Sequence, residues 1–213
     1  NSFGYDNLAA ASDRPYGGTG SSYADPGLAS FMGTVTYTLL DRYTLNLTTR
    51  TDGSSMVGKS HTWGVFPSVS MTWNMKRERF LSSCKPVSLL DLRTGYGCSG
   101  NLGAISSYLT MKQFVPAGLV SYNGTPTVTM GTLRNSNPDL RWEIRSTFNL
   151  GADLGLFSNR VLLTAECYYS KTTDMLYEYD VPVPPFSFNK LLANIGSMSN
   201  TGFELGIGVV PVS

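Results

Sequence analysis

The stretch from Arg42 to Met75 shows the clearest alternation of apolar and polar residues in the chain. It predicts a β-strand, a polar loop and a second strand that returns. The second strand carries Trp63, Val65, Pro67, Val69, Met71 and Trp73 on one side and Gly64, Phe66, Ser68, Ser70, Thr72 and Asn74 on the other. Because successive side chains of a strand point to opposite faces, this pattern predicts one apolar and one mainly polar face.

The two tryptophans of this strand, Trp63 and Trp73, are ten residues apart on the apolar side. At about 3.3 Å per residue and a tilt near 45°, that separation climbs roughly 23 Å. Outer-membrane barrels have an apolar band ~25 Å tall with aromatic girdles at both edges. We therefore predict that Trp63, Trp73 and Trp142, which opens the apolar side of a later strand, are girdle residues. The alternative for Trp63 and Trp73 is stacking on sugar rings.

The same alternation predicts an all-β chain of about seven strands. We expect residues 1–30 to form an extracellular loop, residues 31–97 strands one to four, residues 98–140 a long extracellular loop, and residues 141–210 strands five to seven. Short or medium connections follow the first, third and fifth strands, and long ones follow the second, fourth and sixth. The connection after the third strand has room for a short helix. Outer-membrane barrels show this asymmetry, with short periplasmic turns and long extracellular loops.

Composition agrees with this picture and removes other classes of protein. Charged residues make up 15% of the 213 residues, against about 25% in ordinary soluble proteins. No apolar run approaches the ~18 residues that a transmembrane helix needs. A net charge of +1 gives no electrostatic reason to expect a nucleic-acid partner. The three widely spaced cysteines indicate neither a disulfide scaffold nor a zinc site.

Seven strands cannot close a barrel around so polar an interior. An open sheet would leave unsatisfied backbone groups in lipid, which is costly. We therefore interpret the chain as an internal piece of a longer protein, with further strands outside it. The alternative is that the membrane interpretation is wrong.

Four sequence motifs carry a resemblance to a known family. They are Asp41–Leu45 running into Arg50–Ser55, then Trp63–Ser70 followed by Trp73, then Leu90–Gly97 ending in Ser99–Asn101, and finally Leu140–Glu143 paired with Asn194–Leu205. In this order, and over most of the chain from about Leu28 to Leu205, they resemble the SusC/RagA-type TonB-dependent transporters of the Bacteroidota outer membrane.

This resemblance implies more than the alternation does. It implies part of a large antiparallel transmembrane barrel of 22 strands with an N-terminal plug domain that lies outside this segment. It also implies a SusD-like surface lipoprotein as partner, oligosaccharides or peptides as substrates, and energy from the TonB complex through a part of the protein absent here. Binding and gated passage, without covalent chemistry, would be the mechanism.

Six residues of the motifs are candidates for contact with the plug or the substrate: Arg50, Asp52, Gly53, Ser54, Arg93 and Glu143. For the Arg50–Ser55 motif the alternative is turn chemistry, in which Asp-Gly begins a turn and serine hydroxyls bind loop backbone. Three aromatic residues of the long loop, Tyr108, Phe114 and Tyr122, could contact a ligand or the lipoprotein, or pack within the loop. The same alternatives apply to Tyr5, Tyr16 and Tyr23.

No catalytic residue, cofactor or metal site is predicted. His61 is the only histidine, and it has no nucleophile or second ligand at a useful spacing. Glu143 and Glu166 could suggest a glycosidase pair, but carboxylates facing a wet lumen explain them without chemistry.

Two other classes of protein remain as alternatives. One is a soluble or surface β-sandwich that binds glycans or has a structural role, in which the apolar faces would pack on each other. The other is a passive porin, against which the family motifs speak.

Overall fold

The computed structural model describes residues 25–211, and an antiparallel sheet of seven strands dominates it. In their order across the sheet, its strands are β1 (Leu28–Leu39), β2 (Tyr43–Ser54), β3 (Trp63–Asn74), β4 (Val87–Asn101), β7 (Glu143–Leu156), β8 (Val161–Thr173) and β11 (Ser197–Val209). Two separate hairpins are formed by β5 (Phe114–Tyr122) with β6 (Thr125–Thr132), and by β9 (Leu176–Asp180) with β10 (Lys190–Asn194). The predicted all-β fold is confirmed, and the open sheet is consistent with part of a barrel wall.

The register of the seven strands separates apolar from polar side chains, as the alternation predicted. One continuous row of paired residues runs through Val35, Leu47, Val69, Tyr96, Phe148 and Tyr169. The neighbouring row runs through Thr36, Asn46, Ser70, Gly95, Asn149 and Tyr168. Rows of the first kind form what we call the apolar face of the sheet, and rows of the second kind form its polar face.

The apolar part of each strand is displaced along the strand direction from one strand of the sheet to the next. On β3 it runs from Trp63 to Trp73, and the row that contains Trp73 passes through Leu92 and Ala152 to Ala165. Ala165 is the middle of the apolar run of β8, not its end. Strands that are tilted by about 35–45° in a barrel require such a shift, because positions of equal height are displaced along successive strands.

Three connections leave each end of the sheet. The turn end carries residues 40–42, residues 75–86 with the short helix α1 (Arg79–Ser82), and residues 157–160. The loop end carries residues 55–62, residues 102–142 around the β5–β6 hairpin, and residues 174–196 around the β9–β10 hairpin. The connections at the two ends of the sheet differ less consistently in length than predicted. The connection over residues 75–86 is longer than the loop over residues 55–62, because β2 continues to Ser54 by pairing with β1.

Several predicted boundaries are shifted in the structure. β1 begins at Leu28, within the predicted loop of residues 1–30, and β4 continues to Asn101 beyond the predicted end at residue 97. The fifth strand of the sheet begins at Glu143 and not at residue 141. The predicted loop of residues 98–140 contains a hairpin of its own. Residues 1–24, with Tyr5, Tyr16 and Tyr23, lie outside the described residues.

The hydrophobic core is small and lies on the polar face at the loop end. It contains Val57, Phe66, Ile105, Leu140 and Trp142, contributed by β3 and by loop segments folded over it. By contrast, large side chains of the apolar face are extensively exposed, including Phe31, Val35, Val65, Phe203 and Ile207. Within residues 25–211, no helix has the length and hydrophobicity to cross a membrane.

Candidate functional site

The middle of the polar face is lined by uncharged hydrogen-bonding side chains. The Thr36 hydroxyl donates to Asn46 Oδ1 at 2.8 Å, and Asn46 Nδ2 donates to Ser70 Oγ at 3.4 Å. The adjacent row pairs Thr34 with Thr48, whose hydroxyl oxygens lie 3.1 Å apart. A polar lining of this kind is typical of the interior of a transmembrane barrel.

Nearer the turn end, the polar face carries charge. Arg93 Nε donates to Asp153 Oδ2 at 2.6 Å, and its guanidinium lies 3.7 Å from Glu166. The hydroxyl of Thr164 also donates to Asp153, and Glu204 pairs with Glu166 across β8 and β11. Arg93 thus lies on the polar face, among carboxylates, beside a depression of about 190 Å³.

The Arg50–Ser55 motif forms the end of β2 and the start of the next loop. Arg50 Nε donates to both carboxylate oxygens of Asp52 at 2.8 Å. Ser54 is 2% exposed; its amide donates to Thr62 O, and its hydroxyl accepts from the amide of Met56 at 3.2 Å. The hydroxyl of Ser54 binds loop backbone, as the turn interpretation expects. Asp52 and Gly53 do not begin a turn, because both are still paired with β1 and β3. Arg50 remains the exposed member of the motif on the polar face, with 55% of its side chain accessible.

The motif glycines make room for aromatic rings. A Cβ added at Gly53 would lie 2.8 Å from the Trp63 ring, and one added at Gly100 would lie 2.2 Å from Phe66. A Cβ added at Gly64 would lie 2.5 Å from the ring of Phe66. These glycines are therefore needed for packing at the loop end, where no larger residue fits without displacing a ring.

Trp142 is a correction to the predicted girdle. It is 8% exposed and packs edge-on against Phe66, with ring centroids 5.5 Å apart. The prediction from the alternation was wrong because β7 begins only at Glu143. Trp142 therefore belongs to the loop, and its side chain lies on the polar face. The apolar face instead presents Tyr96, Phe148 and Tyr169 in one row toward its loop end. In the sequence, each of the three lies on the apolar side of an alternating stretch, so the signal for this aromatic row was available.

The pair of motifs around residues 141 and 194 fastens three loop segments together. Arg141 donates to Asp174 at 2.9 Å, and its amide donates to Asn194 Oδ1 at the same distance. Asn194 Nδ2 donates in turn to the carbonyls of Arg141 and Asp174, both at 2.8 Å. The sequence singled out the motif but not this role for Asn194, which depends on contacts between loops distant in the chain.

Glu143 also forms hydrogen bonds between segments at the loop end. Its carboxylate accepts from Asn101 Nδ2 and from the amide of Leu176, each at 3.2 Å. It therefore joins the ends of β4 and β7 to the start of the β9–β10 hairpin. Arg93 pairs with Gly151, eight residues further along β7, and Arg50 lies on β2, with β3 and β4 between it and β7. The three candidates therefore do not form one cluster.

The aromatic residues proposed for loop contacts differ in exposure. Tyr122 at the tip of the β5–β6 hairpin is 69% exposed and Phe114 at its base is 59% exposed. Tyr108 is half-buried and has a φ of 67°, so it helps to shape the loop. Among residues 25–211, no group of three or more His, Cys, Asp or Glu side chains is placed to hold a metal ion.

The turn end has its own aromatic pair. Tyr43 and Trp73 stack with ring centroids 6.0 Å apart, and both donate to Glu78 Oε1, the Tyr43 hydroxyl at 2.7 Å and the indole at 3.3 Å. Arg42 forms an ion pair with the same carboxylate at 2.9 Å. The hydrogen bond from Tyr43, assisted by Trp73 and Arg42, holds the pKa of Glu78 below its usual range.

An antiparallel sheet with one exposed apolar face, one polar face and extended connections at one end defines a segment of a transmembrane β-barrel wall. Residues 1–209 match the family described as TonB dependent receptor-like, beta-barrel, and the chain belongs to this family. Its members are outer-membrane β-barrel proteins, and the similar proteins below support the SusC/RagA type.

Three similar proteins illustrate the relationship. TonB-dependent receptor SusC of Bacteroides thetaiotaomicron is 35% identical over 188 residues, which are 87% of this chain and 19% of that protein. TonB-dependent receptor P26 of Formosa agariphila is 34% identical over 192 residues, covering 90% of this chain and 19% of that protein. The structure of the RagAB peptide importer in its open-open state aligns with a TM-score of 0.79 at 27% identity, over 92% of this chain and 21% of that one. The chain thus spans about a fifth of the length of these proteins.

Proposed function

We propose that the protein to which this chain contributes imports oligosaccharides or peptides across the outer membrane with energy from the TonB complex. The observation that carries the proposal is the separation of the sheet into an exposed apolar face and a polar face that continues across all seven strands. Such a wall suits lipid on one side and a hydrated passage or a plug on the other. The resemblance to SusC and to the RagAB peptide importer adds the class of transporter.

A SusD-like surface lipoprotein is the partner that we propose. It would meet the loops that the sequence predicts to face outside, over residues 1–30, 99–140 and 177–193. Within these loops, the exposed rings of Phe114 and Tyr122 are candidates for contact with the lipoprotein or the substrate, and half-buried Tyr108 supports the loop. On the polar face, Arg50 and Arg93 are the cations that we propose to meet the plug or the substrate.

The mechanism that we propose is binding and gated passage without covalent chemistry. The relatives are transporters, which is a non-enzymatic class. Carboxylates such as Asp153 and Glu166 are engaged by Arg93, which gives them a role in organising the wall. A β-sandwich is not favoured, because among the described residues no second sheet covers the apolar face.

Gentle detergent extraction followed by mass spectrometry and an uptake assay tests this function. We expect a much longer polypeptide that carries this sequence, in the outer-membrane fraction, with a lipoprotein of similar abundance. Uptake of its ligand should stop when the TonB complex is inactivated. Uptake that continues without the TonB complex would favour a passive porin, and a free protein of 213 residues in the soluble fraction would contradict the proposal.

A further inference from the structure

The apolar face of the sheet carries a single charged residue, Lys171 of β8. Every other position on that face of the seven strands is apolar or uncharged, whereas the polar face carries many charges. A charge that faces hydrocarbon is costly, so charged residues on the lipid side of a barrel are rare except near its edges. The position of Lys171 along the strand therefore decides what it can contact.

Lys171 lies at the edge of the apolar band, on the side of the loop end. It is two residues beyond Tyr169, which belongs to the aromatic row with Tyr96 and Phe148. Its own row is polar and contains Cys98, Ser146 and Ser199, with Ser146 and Ser199 paired directly beside it. The ammonium group thus stands just above aromatic residues of the kind that mark the level of lipid headgroups.

No carboxylate neutralises Lys171 within the part of the chain that the structure describes. Its side chain is exposed and takes part in none of the ion pairs among residues 25–211. The closest acidic residue along the chain beyond it, Asp174, is engaged by Arg141. The polar groups in its own row are the hydroxyls of Ser146 and Ser199 and the thiol of Cys98, which lies 3.4 Å from the Ser146 hydroxyl.

We propose that Lys171, with the hydroxyls of Ser146 and Ser199, binds the phosphate group of a glycolipid in the outer leaflet. An ammonium group is a strong point-charge ligand for phosphate, and serine hydroxyls add neutral donors without competing charge. The inference depends on the orientation adopted under the proposed function, with the loop end outside the cell. Acyl chains of the same lipid would lie along the apolar face below the aromatic row.

The test measures lipid retention by the full-length protein purified from outer membranes, using native mass spectrometry after detergent exchange. The variants are K171Q, the charge-retaining K171R, and K112Q as a control at an exposed loop lysine. We expect K171Q to retain phosphorylated glycolipid about tenfold less, because a charge-assisted hydrogen bond is lost. K171R and K112Q should retain it as the parent does. Reloading with the dephosphorylated lipid should abolish the difference between parent and K171Q.

Equal retention by K171Q and the parent would overturn the site, as would equal binding of phosphorylated and dephosphorylated lipid by the parent. A glycerophospholipid as the retained species would overturn it too, since this would place Lys171 at the other leaflet. Lipid retention is measured without transport. A failed uptake assay therefore counts against the proposed function, and equal retention by K171Q counts against this site. A retained glycerophospholipid counts against the orientation on which the site depends.

Discussion

Trp142 meets Phe66 edge to face, with ring centroids 5.5 Å apart and ring planes inclined by 67°. Trp142 belongs to the loop before β7. Phe66 lies on the polar face of β3, in the half of the strand nearer the loop end. Gly64 and Gly100 leave the space into which Phe66 fits. This contact joins the loop that contains the β5–β6 hairpin to the barrel wall, and aromatic pairs of this geometry contribute about 0.5–1.5 kcal/mol beyond their burial.

Replacing Trp142 with Ala should detach this loop from the wall. The substitution removes a buried indole, and such truncations cost about 3–5 kcal/mol. We expect faster protease cleavage within residues 102–141 on intact cells, with the barrel still inserted. Tyr122→Ala is the control, because Tyr122 is 69% exposed and its loss leaves no cavity. Equal cleavage rates in the two variants would contradict the role given to Trp142.

Gly202→Ala should destabilise the wall between β8 and β11. A Cβ at this position would lie 2.4 Å from the ring of Tyr168, which rests against Gly202 on the polar face. Overpacking of this kind costs about 1–3 kcal/mol. Gly206→Ala is a matched control on the same strand and face, because its added Cβ would meet Thr164 at an ordinary 3.7 Å. Urea unfolding of the full-length protein in detergent would measure both, and a G202A variant as stable as G206A would refute the contact.

The sequence predicted the sheet well because lipid imposes a strict period of two on a strand. Val65, Val69 and Met71 face the apolar side as expected, since a shift by one residue would place Ser68 or Ser70 in hydrocarbon. Trp142 was misplaced because it continues this period by coincidence, one residue before its strand begins. Alternation cannot show where pairing starts, and this decides the face of a residue next to a loop.

The loop end was harder to predict for a different physical reason. The β5–β6 hairpin lies in a segment rich in Gly, Pro and Thr, although its Asn123-Gly124 turn is a recognised hairpin signal. Contacts such as that of Asn194 with Arg141 join residues 53 positions apart. Such pairs follow from the packing of loops against each other, and no local pattern in the sequence specifies them.

Glu78 should make the stability of the turn end depend on pH. Its folded pKa lies below the usual value of 4.5, so its contribution is complete above that value and is lost as the pH falls through the lowered pKa. We expect the parent to unfold at a higher temperature than Glu78→Gln near neutral pH, with the difference shrinking in acid. Glu178→Gln is the control, because this exposed carboxylate forms no side-chain hydrogen bond or ion pair among the described residues. A difference that stays constant with pH would rule out the ionised contact.

Asn194→Ala should loosen the β9–β10 hairpin. It removes one acceptor and two donated hydrogen bonds and leaves the carbonyls of Arg141 and Asp174 without this partner. Each lost net bond costs about 0.5–1.5 kcal/mol. Hydrogen exchange of the β10 amides should therefore quicken by at least tenfold. Asn189→Ala, at an exposed position of the same loop, should leave exchange unchanged. Similar rates in both variants would contradict the fastening role.

The most direct test of the account is the environment of successive β3 side chains in the full-length protein in native membranes. Spin labels would be placed one at a time at Val69, Ser70, Met71 and Thr72, after replacement of Cys84, Cys98 and Cys167 by Ser. We expect labels at Val69 and Met71 to collide with membrane-dissolved oxygen, and labels at Ser70 and Thr72 not to do so. Equal exposure of all four positions to a water-soluble nickel chelate would contradict the placement of this sheet in a membrane.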